Sequence, residues 1–326
     1  MGAFSLTSSD KTPNPVTVNS ATHGPILAHL SETLDNACPG KHTTPMNQLS
    51  SEKRAQIVAC LIEGNSLRAT ARLTGACFNS VLKFVPQIGA ACARYQDQAF
   101  HDLKCERVQC DEIWSFNYCK AKNVPTAKAA PQGAGDVWTW TAIDADTKLV
   151  PCWLVGPRDA VSAFHFMQDL SSRMAHRIQL TTDGLTFYLP AIREAFGTDV
   201  DYAMLVKLYG EPERTDARYS PAKCIGARPE ILTGTPDVEH VSTSFSERHN
   251  LTIRMSNRRF TRLTNAFSKK AENHAHAIAL TMMHYNFCRI HKTLRVTPAM
   301  EAGIADHVWS LAEVVALLDC AEAKAA

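Results

Sequence analysis

A carboxylate set inside an apolar strand is the feature that most constrains this chain. Residues 107–116, RVQCDEIWSF, place Val108, Cys110, Ile113, Trp114 and Phe116 around Asp111 and read as a sheet strand. Burying an ionised carboxylate there costs several kcal/mol unless it is paired or bound to metal. The fold must therefore bring a partner to that point.

Two further acids are candidates to meet it. Asp183 follows a short strand, 178–182, and precedes Gly184 in LTTDGL, at the rim of a sheet. Glu247 lies in the helical stretch TSFSERHNLTIRMSNRRFTRL, 243–263, among Arg248, Arg254, Arg258, Arg259 and Arg262. Three acids this far apart can converge if they end or flank central strands and one helix. Carboxylates are hard ligands for Mg²⁺ or Mn²⁺, and two such ions about 3.5–4 Å apart can clamp the attacking and leaving oxygens of a phosphoryl displacement. Each acid also has a plainer reading, since Asp183-Gly184 is an ordinary turn and Glu247 can pair with Arg248 or Arg254. Glu112 rivals Asp111, but strand alternation puts the two on opposite faces, so only one is expected in the cluster. His249, two residues after Glu247, is read as a supporting residue behind the ligands or a phosphate contact.

Charge points to the partner. Lysine and arginine exceed aspartate and glutamate by only 34 − 32 = 2 over 326 residues. Between Phe245 and Arg295, however, ten cations stand against two acids, a local excess that suits phosphate contact.

The rest of the chain divides by pattern. Residues 1–45 are rich in Ser, Thr, Pro and Asn and are expected to be a disordered leader. Residues 46–90 read as helix, turn, short helix, glycine turn and helix, with Asn79, Ser80 and Lys83 opening the third helix where DNA would be met. A plain three-helix subdomain fits that pattern equally well. A helical connector is expected over 91–106. Residues 107–295 alternate strands and helices, with a hairpin turn at DADTK and a helix capped by Asp159, as in an α/β core of the ribonuclease-H-like kind. An irregular insert is expected at about 199–240, with at most a short strand at 202–208 and loops at 211–216 and 228–236. A tail and closing helix occupy 296–326.

The eleven cysteines include no CxxC couple and several lie in apolar runs, so they read as reduced core residues rather than zinc ligands. No signal peptide or bilayer-length apolar run is seen, and a cytoplasmic, nucleoid-associated protein is expected.

DEIW at Asp111, TTDG at Asp183 and ERHNLTIR at Glu247, followed by RRFTRLTNAFSKK, together resemble the signature blocks of the insertion-sequence-one family of bacterial DDE transposases. The third block, 246–270, is the specific one, and the resemblance spans roughly 46–303. It implies a ribonuclease-H-like mixed sheet with flanking helices behind an all-α helix-turn-helix domain. It further implies Asp111 on the first strand, Asp183 after the fourth and Glu247 on a following helix, together holding two Mg²⁺ ions that Mn²⁺ can replace. The implied activity nicks transposon ends with water and directs the freed 3′ hydroxyl at target DNA, in a homo-oligomer on double-stranded DNA. Arg248, Arg254, Arg258, Arg259, Arg262, Lys269 and Lys270 are the DNA contacts expected beside the acids. Some members carry an N-terminal cysteine zinc finger that this chain lacks, which leaves end recognition to the helix-turn-helix. A DNA-binding regulator or inactivated relative without catalysis is the alternative.

Overall fold

The computed structural model describes residues 49–210, 224–261 and 264–325. The expected leader 1–45 and Arg262 lie outside these residues.

Three helices come first: α1 (Ser51–Ile62), α2 (Leu67–Thr74) and α3 (Phe78–Ala99). Their starts and stops are local chemistry. The hydroxyls of Ser50 and Ser66 accept the amides of Lys53 and Ala69, and Gly75 closes α2 in the left-handed conformation at φ 69°. The third helix was expected to stop near Gly89 and a separate connector to follow; instead α3 continues through Pro86 to Ala99, so the expected boundary at residue 90 falls inside it. Proline forfeits one helical hydrogen bond. Burial of Ile88, Ala90, Ala91 and Cys92 beyond it outweighs that loss.

The sheet follows, in the order β3-β2-β1-β4-β5-β6. Its strands are β1 (Arg107–Asn117), β2 (Gly135–Asp144), β3 (Trp153–Gly156), β4 (Ile178–Thr182), β5 (Val200–Tyr209) and β6 (Cys224–Thr233). β1 is interior, antiparallel to β2 and parallel to β4; β4 and β5 are parallel, and β6 returns antiparallel along the edge. The order and directions are compatible with the ribonuclease-H-like arrangement expected. Helix α4 (Ala160–Arg173), capped by Asp159, and α5 (Tyr188–Phe196) cover one face. On the other face lie α6 (Ser244–Ser256) and α7 (Ala271–Met283), the latter continued by a π turn, His284–Cys288. Short α8 (Pro298–Glu301) and α9 (Leu311–Ala325) complete the chain, α9 packing back on α1 and α3.

Two expectations need correction. The second strand of the hairpin expected at DADTK does not start at the turn but forms only at Trp153–Gly156, because the buried amide of Asn286 takes both backbone groups of Val150, each at 3.0 Å, and Pro151 has no amide to donate. Within 199–240 the described residues form not an irregular insert but the two ten-residue strands β5 and β6, and β6 covers most of the loop expected at 228–236, while the loop expected at 211–216 lies outside the described residues. Gly226, Pro229 and two charges hide the alternation of β6, and its edge position tolerates the proline.

Helices α3 and α7 cross so closely at Gly89 that a Cβ there would run into the His276 backbone. Gly89→Ala is expected to cost about 2 kcal/mol through overpacking. A denaturant midpoint unchanged from the parent protein would contradict that close approach.

Candidate metal centre

The registers of β1 and β4 create the site. Their pairing runs only from Arg107–Gln179 to Gln109–Thr181, and β4 ends at Thr182. Beyond Gln109 the β4 side of β1 is open, and Asp111 and Glu112 stand at that opening with Asp183 just past the end of β4. All three offer a carboxylate oxygen within 4.8 Å of one another.

Alternation does hold for the directions of the side chains. Asp111 faces α6, where Asn250 Nδ2 donates to its Oδ2 at 2.8 Å; Glu112 faces α4 and α5, its two oxygens taken by the Tyr188 hydroxyl and by Arg158 Nε at 3.1 Å. The expectation that only one of the pair could join the cluster is therefore wrong. Where no neighbouring strand stands between the faces, two side chains of one strand can reach around its edge to a common point.

Glu247 is brought over the same strand but stays outside that group. The side chain of Gln109 on β1 accepts the amides of Phe245 and Ser246 at 2.9 and 3.2 Å, capping the start of α6 from across the fold. This ties the helix carrying Glu247 to the strand carrying Asp111. The Glu247 carboxylate itself is held by the ammonium of Lys207 on β5 and by the Thr243 hydroxyl at 2.8 Å.

The electrostatics are those of a centre short of positive charge. Two ionised carboxylates at 4.8 Å repel by about 3.5 kcal/mol at an effective dielectric of about 20. Burial, with the charges of Asp183 and Glu247 added, pushes the Asp111 carboxyl up to about 6 against the opposing Glu112 amide and Lys207. Burial, then Asp183 and Asp111, pushes Glu112 up to about 7 against Tyr188 and Arg158. At Glu247 burial also raises the carboxyl, but Lys207 and Thr243 overcome it and hold the group below its ordinary range. Arg158, whose terminal nitrogen lies 3.9 Å from Asp183, meets only part of the negative charge. An all-oxygen donor set with this excess of negative charge fits a hard divalent cation.

The remaining predicted contacts spread over two surfaces. Asn79 is exposed and Ser80 half-buried on the first turn of α3, and Lys83 is exposed on the second. Arg248, Lys269 and Lys270 are exposed, and Arg254 and Arg258 half-buried. Arg259 turns inward: its Nε donates to Ser268 Oγ at 2.6 Å, and burial brings its guanidinium down to about 10. His249 is 2% exposed, its ring edge-on to Tyr285 at 4.5 Å, and both ring nitrogens lack a hydrogen-bond partner among the described residues. A ring enclosed in this way faces the helical layer rather than a phosphate.

Sequence reading missed Arg158, Tyr188, Asn250 and Lys207. Asn250 had a signal, since i, i+3 spacing on a helix puts it beside Glu247. The others carry none, because their partners are set by strand order.

No protein-family model matches the chain, and no curated protein matches it in sequence. Among solved structures it is similar to a piggyBac transposase synaptic complex with hairpin DNA, determined by cryo-electron microscopy. The identity is 9%, over 89% of this chain and 74% of that one, with a TM-score of 0.36. A likeness that slight carries no argument about the chemistry of this chain, which rests on the geometry above.

Proposed function

We propose that this chain is a DNA transposase of the DDE type, cutting and joining strands with a divalent metal. One observation carries the reading: an acid from an interior strand and an acid past its parallel neighbour converge to within 4.8 Å, beneath a helix bearing a third. Asp111 and Asp183 would hold Mg²⁺, or Mn²⁺ in its place, with Glu247 as third ligand once released from Lys207. The ion would supply the positive charge that the phosphoryl displacement requires. Asn250 orients Asp111, and the Leu185 amide, donating to Asp183 Oδ1 at 3.0 Å, fixes the second acid. Glu112, reaching the same point from the other face of β1 and locked by Tyr188 and Arg158, supports the arrangement, and exposed Arg158 is placed to meet a phosphate entering beside Asp183.

The domain reading follows. Residues 46–90 would bind transposon ends, with Asn79, Ser80 and Lys83 on the first two turns of α3. Residues 107–295 would form the catalytic unit, and Arg248, Arg254, Arg258, Lys269 and Lys270 would hold DNA near it. Joining two ends calls for a homo-oligomer on double-stranded DNA.

A second reading, a DNA-binding regulator without catalysis, is favoured by one observation: Arg158 already pairs with Glu112 of the cluster, and Lys207 with Glu247 above it. The full chain incubated with a supercoiled plasmid bearing the DNA that flanks its gene separates the two. Nicked and strand-transfer products that require Mg²⁺ or Mn²⁺ are expected. Binding without nicking in either metal would leave only the regulator.

A further inference from the structure

Between the π turn and α8 the chain forms a tight loop, 289–296, whose cations meet no carboxylate among the described residues. Arg289, Lys292 and Arg295 are exposed there, as is Arg248 on α6. Among the described residues none of the four forms an ion pair. His291, inside the loop, is pushed below its usual range by burial and then by the charges of Lys148, Arg289 and Arg248, and the contacts of Asn286 with Val150 and of Lys148 with the Phe245 ring set the loop, the β2–β3 turn and α6 side by side. Like charges gathered in this way repel, and an anionic partner would relieve them.

The loop is built rather than loose. The His291 amide donates to the Val296 carbonyl and the Arg295 amide to the His291 carbonyl, both at 2.9 Å. Asn286, at the root of the loop and fully buried, clasps Val150 and so fixes the β2–β3 turn against it. Lys148 of that turn is buried, 3.4 Å above the Phe245 ring, and adds positive charge beneath the surface without reaching it.

Arg295 supplies a second, independent observation. Its φ is 66°, in the left-handed region where glycine or asparagine is usual and a long side chain is disfavoured. An arginine held at a position that favours glycine points to a use for its guanidinium.

We infer that the 289–296 loop and Arg248 form a phosphate-binding track for duplex DNA, distinct from the carboxylates and leading onto the helix that carries Glu247. The inference rests on the proposed function. Among polyanions DNA is favoured over a lipid surface because Arg248 directly follows Glu247 in the chain, and because Ile290 is the one exposed large apolar side chain of the loop, too little for an interfacial anchor.

The test is anisotropy of a labelled duplex oligonucleotide titrated with the full chain in EDTA over a range of salt. The triple variant Arg289→Ala, Lys292→Ala, Arg295→Gly is expected to lower the slope of log affinity against log salt by about 2 to 3, at about 0.9 per lost phosphate contact. Its affinity at roughly 100 mM salt should fall at least about tenfold. Arg295→Gly alone should weaken binding while its thermal midpoint stays level or rises, which separates a lost contact from a damaged fold. An unchanged salt slope in the triple variant, with the parent protein binding normally, overturns the track and leaves the proposed function standing. Absence of duplex binding by the parent protein removes both. Capture of the parent protein by phosphatidylserine vesicles, with no affinity for the duplex, overturns the inference in favour of a membrane surface.

Discussion

Asp183→Asn is expected to reduce Mg²⁺-dependent strand cleavage by at least about a thousandfold, equivalent to roughly 4 kcal/mol of lost transition-state stabilisation. Duplex binding in EDTA should stay close to that of the parent protein. Asp183 is the cleanest of the acids to change. Its Oδ1 accepts the Leu185 amide, a bond that an asparagine oxygen reproduces, and its side chain is 28% exposed, so the turn after β4 keeps its shape. At Asp111 the same change would set an amide against Asn250 Nδ2 and mix loss of charge with a lost hydrogen bond. Plasmid nicking assays over a range of metal concentration measure the effect. Cleavage by Asp183→Asn at a rate near the parent's would remove Asp183 from the metal site and the DDE assignment with it.

The second large effect is on stability. Asp111 and Glu112 are raised to about 6 and about 7, above unfolded values of roughly 3.9 and 4.3. The folded chain thus holds protons there that the unfolded chain releases. The stability they contribute is complete below the unfolded values and is lost as pH rises through about 6 and then about 7. For Asp111 alone the difference is on the order of 3 kcal/mol, at about 1.4 kcal/mol per pH unit. Glu247, held low by Lys207, acts with the opposite sign and loses stability as pH falls. The metal-free protein should therefore melt higher near pH 5 than near pH 8. Mg²⁺ should raise the midpoint at pH 8 and do little at pH 5, where protons occupy the same oxygens. Calorimetry of the parent protein and of Glu112→Gln, which should lose the upper part of the pH dependence, tests this. A midpoint insensitive to pH over that interval, or raised equally by Mg²⁺ at both ends, would contradict it.

Much of this centre is legible in the sequence. The apolar run around Asp111 announces a strand with a misplaced charge, LTTDGL announces an acid at the end of another, and the stretch 243–263 announces a helix that carries Glu247. All three are local signals, carried by periodicity, turn chemistry and hydrophobic pattern; the observed β1 and β4 agree with them, and α6 does so as far as Ser256, where the helix ends short of the 263 expected and a 3-10 turn at Arg258–Phe260 follows. Local pattern misled where a segment contradicts its own period. Gly226 and Pro229 conceal β6, and the helix expected to stop near Gly89 is carried on to Ala99 by burial.

By itself, then, the sequence determined which acids stand inside a strand, at a strand end and on a helix, because period and turn residues act over a few positions. Only the tertiary structure decided which groups meet them. That Glu112 reaches the same point as Asp111 depends on β4 stopping at Thr182. That Lys207 holds Glu247 depends on β5 running on past the end of β4, and that Arg158 holds Glu112 depends on the start of α4 lying over β1. Period 2 sets the face a side chain leaves from, whereas the open edge of a strand is set by where its neighbour ends, and that is a property of the assembled sheet.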